Sequence, residues 1–190
     1  MDSEDISFVL QVTKVRDILS QDCSIHVAEE LATCDLNRER AMGYGVIELG
    51  PGNTGMLPHS FSLDIPFYFG VEPFTPHRTR RSIAAFLENS PEYVDKIFIV
   101  PVDALTFLRT RADASSTVVS SGVLEECVIG SRSSSDPLVE RYRTELCAEI
   151  YRVTPVGGIS LHGGCDDTWQ RALQDAGFSK RYQSGLVYLK

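Results

Sequence analysis

The feature that most constrains the fold is the seven-residue stretch KIFIVPV, Lys96 to Val102, which is apolar almost throughout. A run of that length and character reads as a strand with both faces buried, which places it centrally in a sheet. Nothing in the 190 residues approaches the roughly 18 apolar residues that a membrane-crossing helix needs. The opening MDSEDISFVL begins with acids rather than a basic segment and an apolar run, unlike a signal peptide. A cytoplasmic location without membrane contact is therefore expected. At this length folding buries roughly 70% of the unfolded surface, enough for one domain over residues 1–190.

Other elements flank that strand. Ile6 to Thr13 reads as a strand, Val15 to Leu19 as a short helix, and Val27 to Met42 as helix or loop. Tyr44 to Leu49 reads as a strand and GPGNTG, Gly50 to Gly55, as a turn. Ser62 to Phe69 reads as a strand interrupted by Pro66, hence an edge strand or a bulge. Arg78 to Glu88 has an apolar face of Ile83, Phe86 and Leu87 and predicts a helix, with Thr75 as its cap. Asp103 should cap a short helix through Leu108.

Thr110 to Asp136 reads as a long loop carrying one short strand in its apolar patch, Val123 to Ile129. Pro137 to Ala148 predicts a helix behind the Asp136 cap, followed by a strand over Glu149 to Val153. Val156 to Leu161 and Leu186 to Leu189 read as strands. Asp166 to Ala176 reads as a helix capped by Asp166 or Asp167 and ended by Gly177.

The net charge of −8 and pI near 5 argue against coating nucleic acid by bulk charge. They leave room for a local basic groove, since Arg78, Arg80 and Arg81 cluster, as do Arg109 and Arg111. The five cysteines form no CxxC pair and the four histidines are scattered, so no metal site is expected. The sequence is read as having no GxGxxG after a strand, no Walker loop, no HExxH and no GxSxG.

One arrangement carries a resemblance. QVTKVRDIL is followed by NRERAMGYGVI, the strand IPFYFG, the segment KIFIVPVDALTFL, a long loop and RYRTELCAEIYRVTP. In order and spacing this resembles the DarT family of DNA ADP-ribosyltransferase toxins. The resemblance implies an α+β fold of the ADP-ribosyltransferase type, with split, twisted antiparallel or mixed β-sheets and flanking helices. It implies NAD as substrate, a nucleic-acid acceptor with single-stranded DNA favoured, and an antitoxin partner.

It also implies the site. Glu149 would be the catalytic carboxylate that stabilises positive charge on the ribose as nicotinamide departs. Glu149 could equally pair with Arg141 or Arg152, and Glu126 is a second carboxylate. Arg40, with Arg38 second, would hold the NAD phosphates by bidentate hydrogen bonds. Gln11, Thr13 and Tyr68 would contact nicotinamide and ribose, and Arg78, Arg80, Arg81, Arg109 and Arg111 the nucleic acid. The alternatives are a catalytically inactive module of the same fold, a transferase acting on protein, or an acyltransferase suggested by the closing LQDAGFSKRYQSGLVYLK.

Overall fold

The computed structural model describes residues 44–51, 66–73, 76–121, 136–163, 165–181 and 187–190. In chain order these form β1 (Gly45–Leu49), β2 (Tyr68–Val71), α1 (Pro76–Asn89), a 3-10 helix (Pro91–Lys96), β3 (Ile97–Val100), α2 (Ala104–Arg109) and β4 (Ser116–Ser121). They continue with α3 (Pro137–Val153), β5 (Ile159–Gly163), α4 (Asp167–Asp175), β6 (Ser179–Arg181) and β7 (Val187–Leu189). The strands make one seven-stranded sheet in the order β3-β2-β1-β4-β5-β7-β6. Strands β1 to β5 are mutually parallel, and β7 runs antiparallel to both β5 and β6.

This is a doubly wound sheet, not the split, antiparallel or mixed arrangement of an ADP-ribosyltransferase. The physical reason lies in the connections. Parallel neighbours need crossovers, and helices α1, α2 and α3 supply them between β2 and β3, β3 and β4, and β4 and β5. Successive strand side chains point to opposite faces. Ile47, Leu49, Val71 and Val118 therefore pack with α2, α3 and α4, around Phe107, Leu146, Ile150 and Trp169. Val46, Tyr68, Val119, Ile159 and Leu161 pack on the other face with Ile83 of α1. Phe86 and Leu87 join that second core, as the helical spacing predicts.

Several elements differ from their sequence reading. The apolar stretch KIFIVPV does form β3, but at the edge of the sheet, with Phe98 43% exposed. Ile97, Ile99 and Val100 are half-buried: Ile97 and Ile99 join one core and Val100 the other, while the exposed Phe98 stacks on Phe69 at 5.0 Å. An edge strand can thus be apolar on both faces. The strand with Pro66 is internal, because pairing begins at Tyr68, beyond the proline.

A strand at the centre is instead Ser116–Ser121, STVVSS, lying between β1 and β5. Its hydroxyl content hides it in sequence, yet Ser116, Thr117 and Ser120 are buried. Glu149 to Val153 continues α3 rather than forming a strand. Val139, Leu146, Ile150 and Val153 keep helical spacing on one buried face, and the helix closes with Thr154 N–H donating to the Ile150 carbonyl. The caps hold as read: Asp103 accepts from Thr106 N at 2.9 Å, Asp136 from Leu138 N at 2.8 Å and Asp166 from Trp169 N at 2.8 Å. Gly177 ends the α4 segment at φ +115. Strand β6 had no counterpart in the sequence reading. The segments Ile6 to Thr13, Val15 to Leu19 and Val27 to Met42, the cap Thr75 and the patch Val123 to Ile129 lie outside the described residues.

Candidate functional site

From β1 the chain moves outward through β2 to β3, then returns to place β4 on the other side of β1. In such sheets ligands bind in the crevice beyond the carboxyl ends of the strands, where the strand order reverses. Here that point lies between β1 and β4, and the chain leaves β1 directly into Gly50 to Gly55. Turn chemistry alone makes GPGNTG a loop. The same six residues also spell G-x-G-x-x-G immediately after a strand, the spacing that lets backbone approach a nucleotide. The expectation that no GxGxxG follows a strand is therefore wrong: Gly50, Gly52 and Gly55 have that spacing directly after β1. Of the loop, Gly50 and Pro51 are described. Gly50 takes φ +63, a left-handed conformation that favours glycine, and its N–H donates to the Val71 carbonyl at 2.8 Å.

Three acidic residues occupy the carboxyl ends of three adjoining strands. Glu48 is the penultimate residue of β1, Glu72 follows β2 and Asp103 lies beyond β3. Glu48 and Glu72 are buried, at 1% and 0% exposure. The Glu72 backbone N–H donates to the Val100 carbonyl at 3.0 Å, which fixes the end of β2 against β3. The Tyr68 hydroxyl donates to Glu48 Oε2 at 2.6 Å. Burial, then the charge and hydrogen bond of Glu48, then the charge of Glu72, raise the Tyr68 hydroxyl well above its ordinary pKa, so it stays protonated as a donor.

Gly70 lies between Tyr68 and Glu72 in sequence and opposite Glu48 in register. A Cβ there would meet Ile99 Cδ1 at 2.7 Å, Pro51 Cγ at 3.1 Å and Tyr68 Cε1 at 3.2 Å. The glycine thus gives room to the tyrosine ring and to the first turn of the glycine loop at once.

A second polar group sits across the switch point, in β4 and β5. Ser120 and His162 are register partners. Ser120 Oγ lies 2.8 Å from His162 Nδ1, and Ser160 Oγ lies 2.7 Å from Nε2. Ser160 donates its one proton to the Val118 carbonyl at 2.8 Å, so it must accept from Nε2–H. That leaves Nδ1 to accept from Ser120. Burial pushes His162 down to about 3, so the ring stays neutral and is no base at ordinary pH.

The residues expected from sequence fall in different places. Tyr68 is in the switch-point group. Glu149 lies in α3, where its Oε2 accepts from Arg152 Nε at 2.9 Å and Nη2 at 2.7 Å. Arg152 also donates to the Leu108 and Arg111 carbonyls and pairs with Asp113. This network is at the amino-terminal end of β4, where Ser115 N–H donates to the Val153 carbonyl, opposite the crevice. Arg109 and Arg141 both bond Glu145 at 2.7 Å. The Arg111 guanidinium lies 4.7 Å from the centre of the Phe69 ring.

Arg80 and Arg81 are exposed on α1, which also carries Arg78. Gln11, Thr13, Arg38, Arg40 and Glu126 lie outside the described residues. Among the described residues, no three of His, Cys, Asp or Glu gather as a metal site, and no helix is long and apolar enough to cross a membrane.

No family model matches the sequence, and no curated protein matches it. Solved structures do match in three dimensions. A protein from Methanococcus maripaludis assigned as an S-adenosylmethionine-dependent methyltransferase aligns with TM-score 0.55 and 12% identity, over 95% of this chain and 89% of that one. Spermidine synthase from Thermotoga maritima aligns with TM-score 0.54 and 16% identity, over 85% of this chain and 57% of that one, so the chain spans little more than half of that enzyme. An S-adenosylmethionine-dependent methyltransferase from Archaeoglobus fulgidus aligns with TM-score 0.52 and 17% identity, over 82% and 69%. These similarities overturn the ADP-ribosyltransferase resemblance. With it fall NAD as substrate, the nucleic-acid acceptor, the toxin role with its antitoxin, and the inactive or protein-directed variants of that fold. The short sequence likenesses misled because PFYF and the Ala-Glu before an apolar segment are each compatible with another topology. The chain carries the Rossmann-like fold of the S-adenosylmethionine-dependent methyltransferases.

Proposed function

We propose that the chain is an S-adenosylmethionine-dependent methyltransferase whose ligand sits at the switch point between β1 and β4. The observation that carries this reading is the pair of buried carboxylates, Glu48 and Glu72, at the carboxyl ends of β1 and β2, with the glycine-rich sequence GPGNTG following β1. An acidic residue about 20 positions beyond such a loop suits the hydroxyls of a ribose, because a carboxylate offers only acceptors to a diol that offers donors. Glu72 has that spacing. S-adenosylmethionine supplies an adenosine ribose of this kind and a methyl group made electrophilic by a sulfonium. Gly70 supports the fit: a side chain there would crowd Pro51 and Tyr68 against the loop.

Within this reading Glu72 holds the ribose. The test is isothermal titration of the purified chain with S-adenosylmethionine, in parallel with Glu72→Ala. A saturable heat that weakens at least tenfold in the variant is expected, since a hydrogen bond to a charged group contributes about 1.5–3 kcal/mol. No saturable heat from a folded wild-type chain would refute the reading.

A further inference from the structure

We propose that Tyr68 is a positioning residue, which fixes the carboxylate of Glu48 for ligand binding at the switch point. This rests on reading that crevice as an S-adenosylmethionine site, and it adds a residue that the fold similarity does not assign. The hydroxyl of Tyr68 reaches across from β2 to Glu48 Oε2 of β1 at 2.6 Å, and both residues are buried. Buried hydrogen bonds to a charged group rank among the stronger ones in proteins.

The strands leave little freedom for this bond to form differently. Val46 pairs with Tyr68 and Glu48 with Gly70, so the tyrosine and the carboxylate project from the same face one step apart along the ladder. Gly70 clears the path between them, with its would-be Cβ only 3.2 Å from the Tyr68 ring. The same glycine lies against Pro51, the second residue of the glycine loop. Tyr68, Glu48 and the start of the loop thus form one packed unit, and an altered tyrosine is transmitted to both other parts. Tyr68 remains a donor through the ordinary pH range because burial and its acidic neighbours oppose its ionisation. The bond to Glu48 is therefore permanent rather than switched.

A purely structural tyrosine would alter the melting temperature and leave ligand affinity alone. The experiment is a double-mutant cycle on S-adenosylmethionine affinity with Tyr68→Phe, Glu48→Ala and both together, each variant checked for a cooperative urea transition. Tyr68→Phe keeps the ring and is expected to weaken binding about tenfold. In the Glu48→Ala background the same change is expected to have almost no further effect, because its target is gone. Glu48→Asp provides the check should a cycle variant fail to fold. It keeps the charge but draws the carboxylate back from the tyrosine, and it should weaken binding to a similar degree.

Wild-type affinity in Tyr68→Phe, full additivity in the double mutant, or unchanged affinity in Glu48→Asp would overturn the proposal while leaving the methyltransferase reading intact. A folded wild-type chain that binds no S-adenosylmethionine would overturn both.

Discussion

Mild acid should destabilise this protein through His162. The ring is buried and hydrogen-bonded between two serine hydroxyls, and burial lowers its pKa from 6.5 to about 3. The unfolded chain takes up a proton as the pH falls through about 6.5, whereas the folded chain resists until about 3. The contribution of the neutral ring is thus fully present above pH 6.5 and is lost as the pH drops. Each pH unit in that window removes about 1.4 kcal/mol, so the whole window is worth about 5 kcal/mol and the step from pH 7.5 to 5 about 2 kcal/mol. Against a typical domain stability of about 5–15 kcal/mol, that is a large fraction.

The assay is urea unfolding followed by the fluorescence of Trp169, the sole tryptophan and a buried one, at pH about 7.5, 6 and 5. Other groups also titrate in this range, so the wild type is compared with His162→Gln. Whatever the variant's stability at pH about 7.5, its loss between pH about 7.5 and 5 should be smaller than that of the wild type by about 2 kcal/mol. Equal losses in the two proteins would refute the reasoning and mean that the buried ring accepts a proton without unfolding.

Further outcomes follow from the same contacts. Arg152→Met should cost about 2–3 kcal/mol in urea unfolding, because it removes charge-assisted bonds to two carbonyls and to Glu149 that tie α3 to the turn before β4. A loss under about 0.5 kcal/mol would make the network a surface ornament. Gly70→Ala should destabilise by about 1–3 kcal/mol, since its methyl would lie 2.7 Å from Ile99 Cδ1 and crowd Tyr68 and Pro51. On the proposed function it should also weaken S-adenosylmethionine binding, and a thermal melt with a parallel titration would show both effects. Gly177→Ala should cost more than about 1 kcal/mol, because φ +115 disfavours a side chain and the new methyl would lie 2.9 Å from the Tyr151 ring. An unchanged melting temperature would contradict that.

The sequence by itself determined the local elements whose signals are local. The caps Asp103, Asp136 and Asp166, the Gly177 stop and the apolar face of α1 are each written within a few residues, and each appears where its chemistry requires. The G-x-G-x-x-G spelling of GPGNTG and the spacing from it to Glu72 are also written in the sequence, although turn chemistry alone led to the reading of a plain loop there. What sequence could not decide was which strand neighbours which. The apolar KIFIVPV looks central yet sits at an edge, and the hydroxyl-rich STVVSS, read as part of a long loop, is a strand beside β1 in the middle. Side-chain polarity reports whether a strand's faces are covered, but not how many neighbours its backbone has. Burial of Ser120 and Ser160 is tolerated only because His162 and the Val118 carbonyl stand opposite them. Those partners come from strands 42 residues apart in the chain, as Tyr68 and Glu48 come from strands 20 apart. Only the tertiary structure brings such groups within hydrogen-bonding distance, and that decides which polar residues build a site and which, like Glu149 with Arg152, brace the opposite end of the fold.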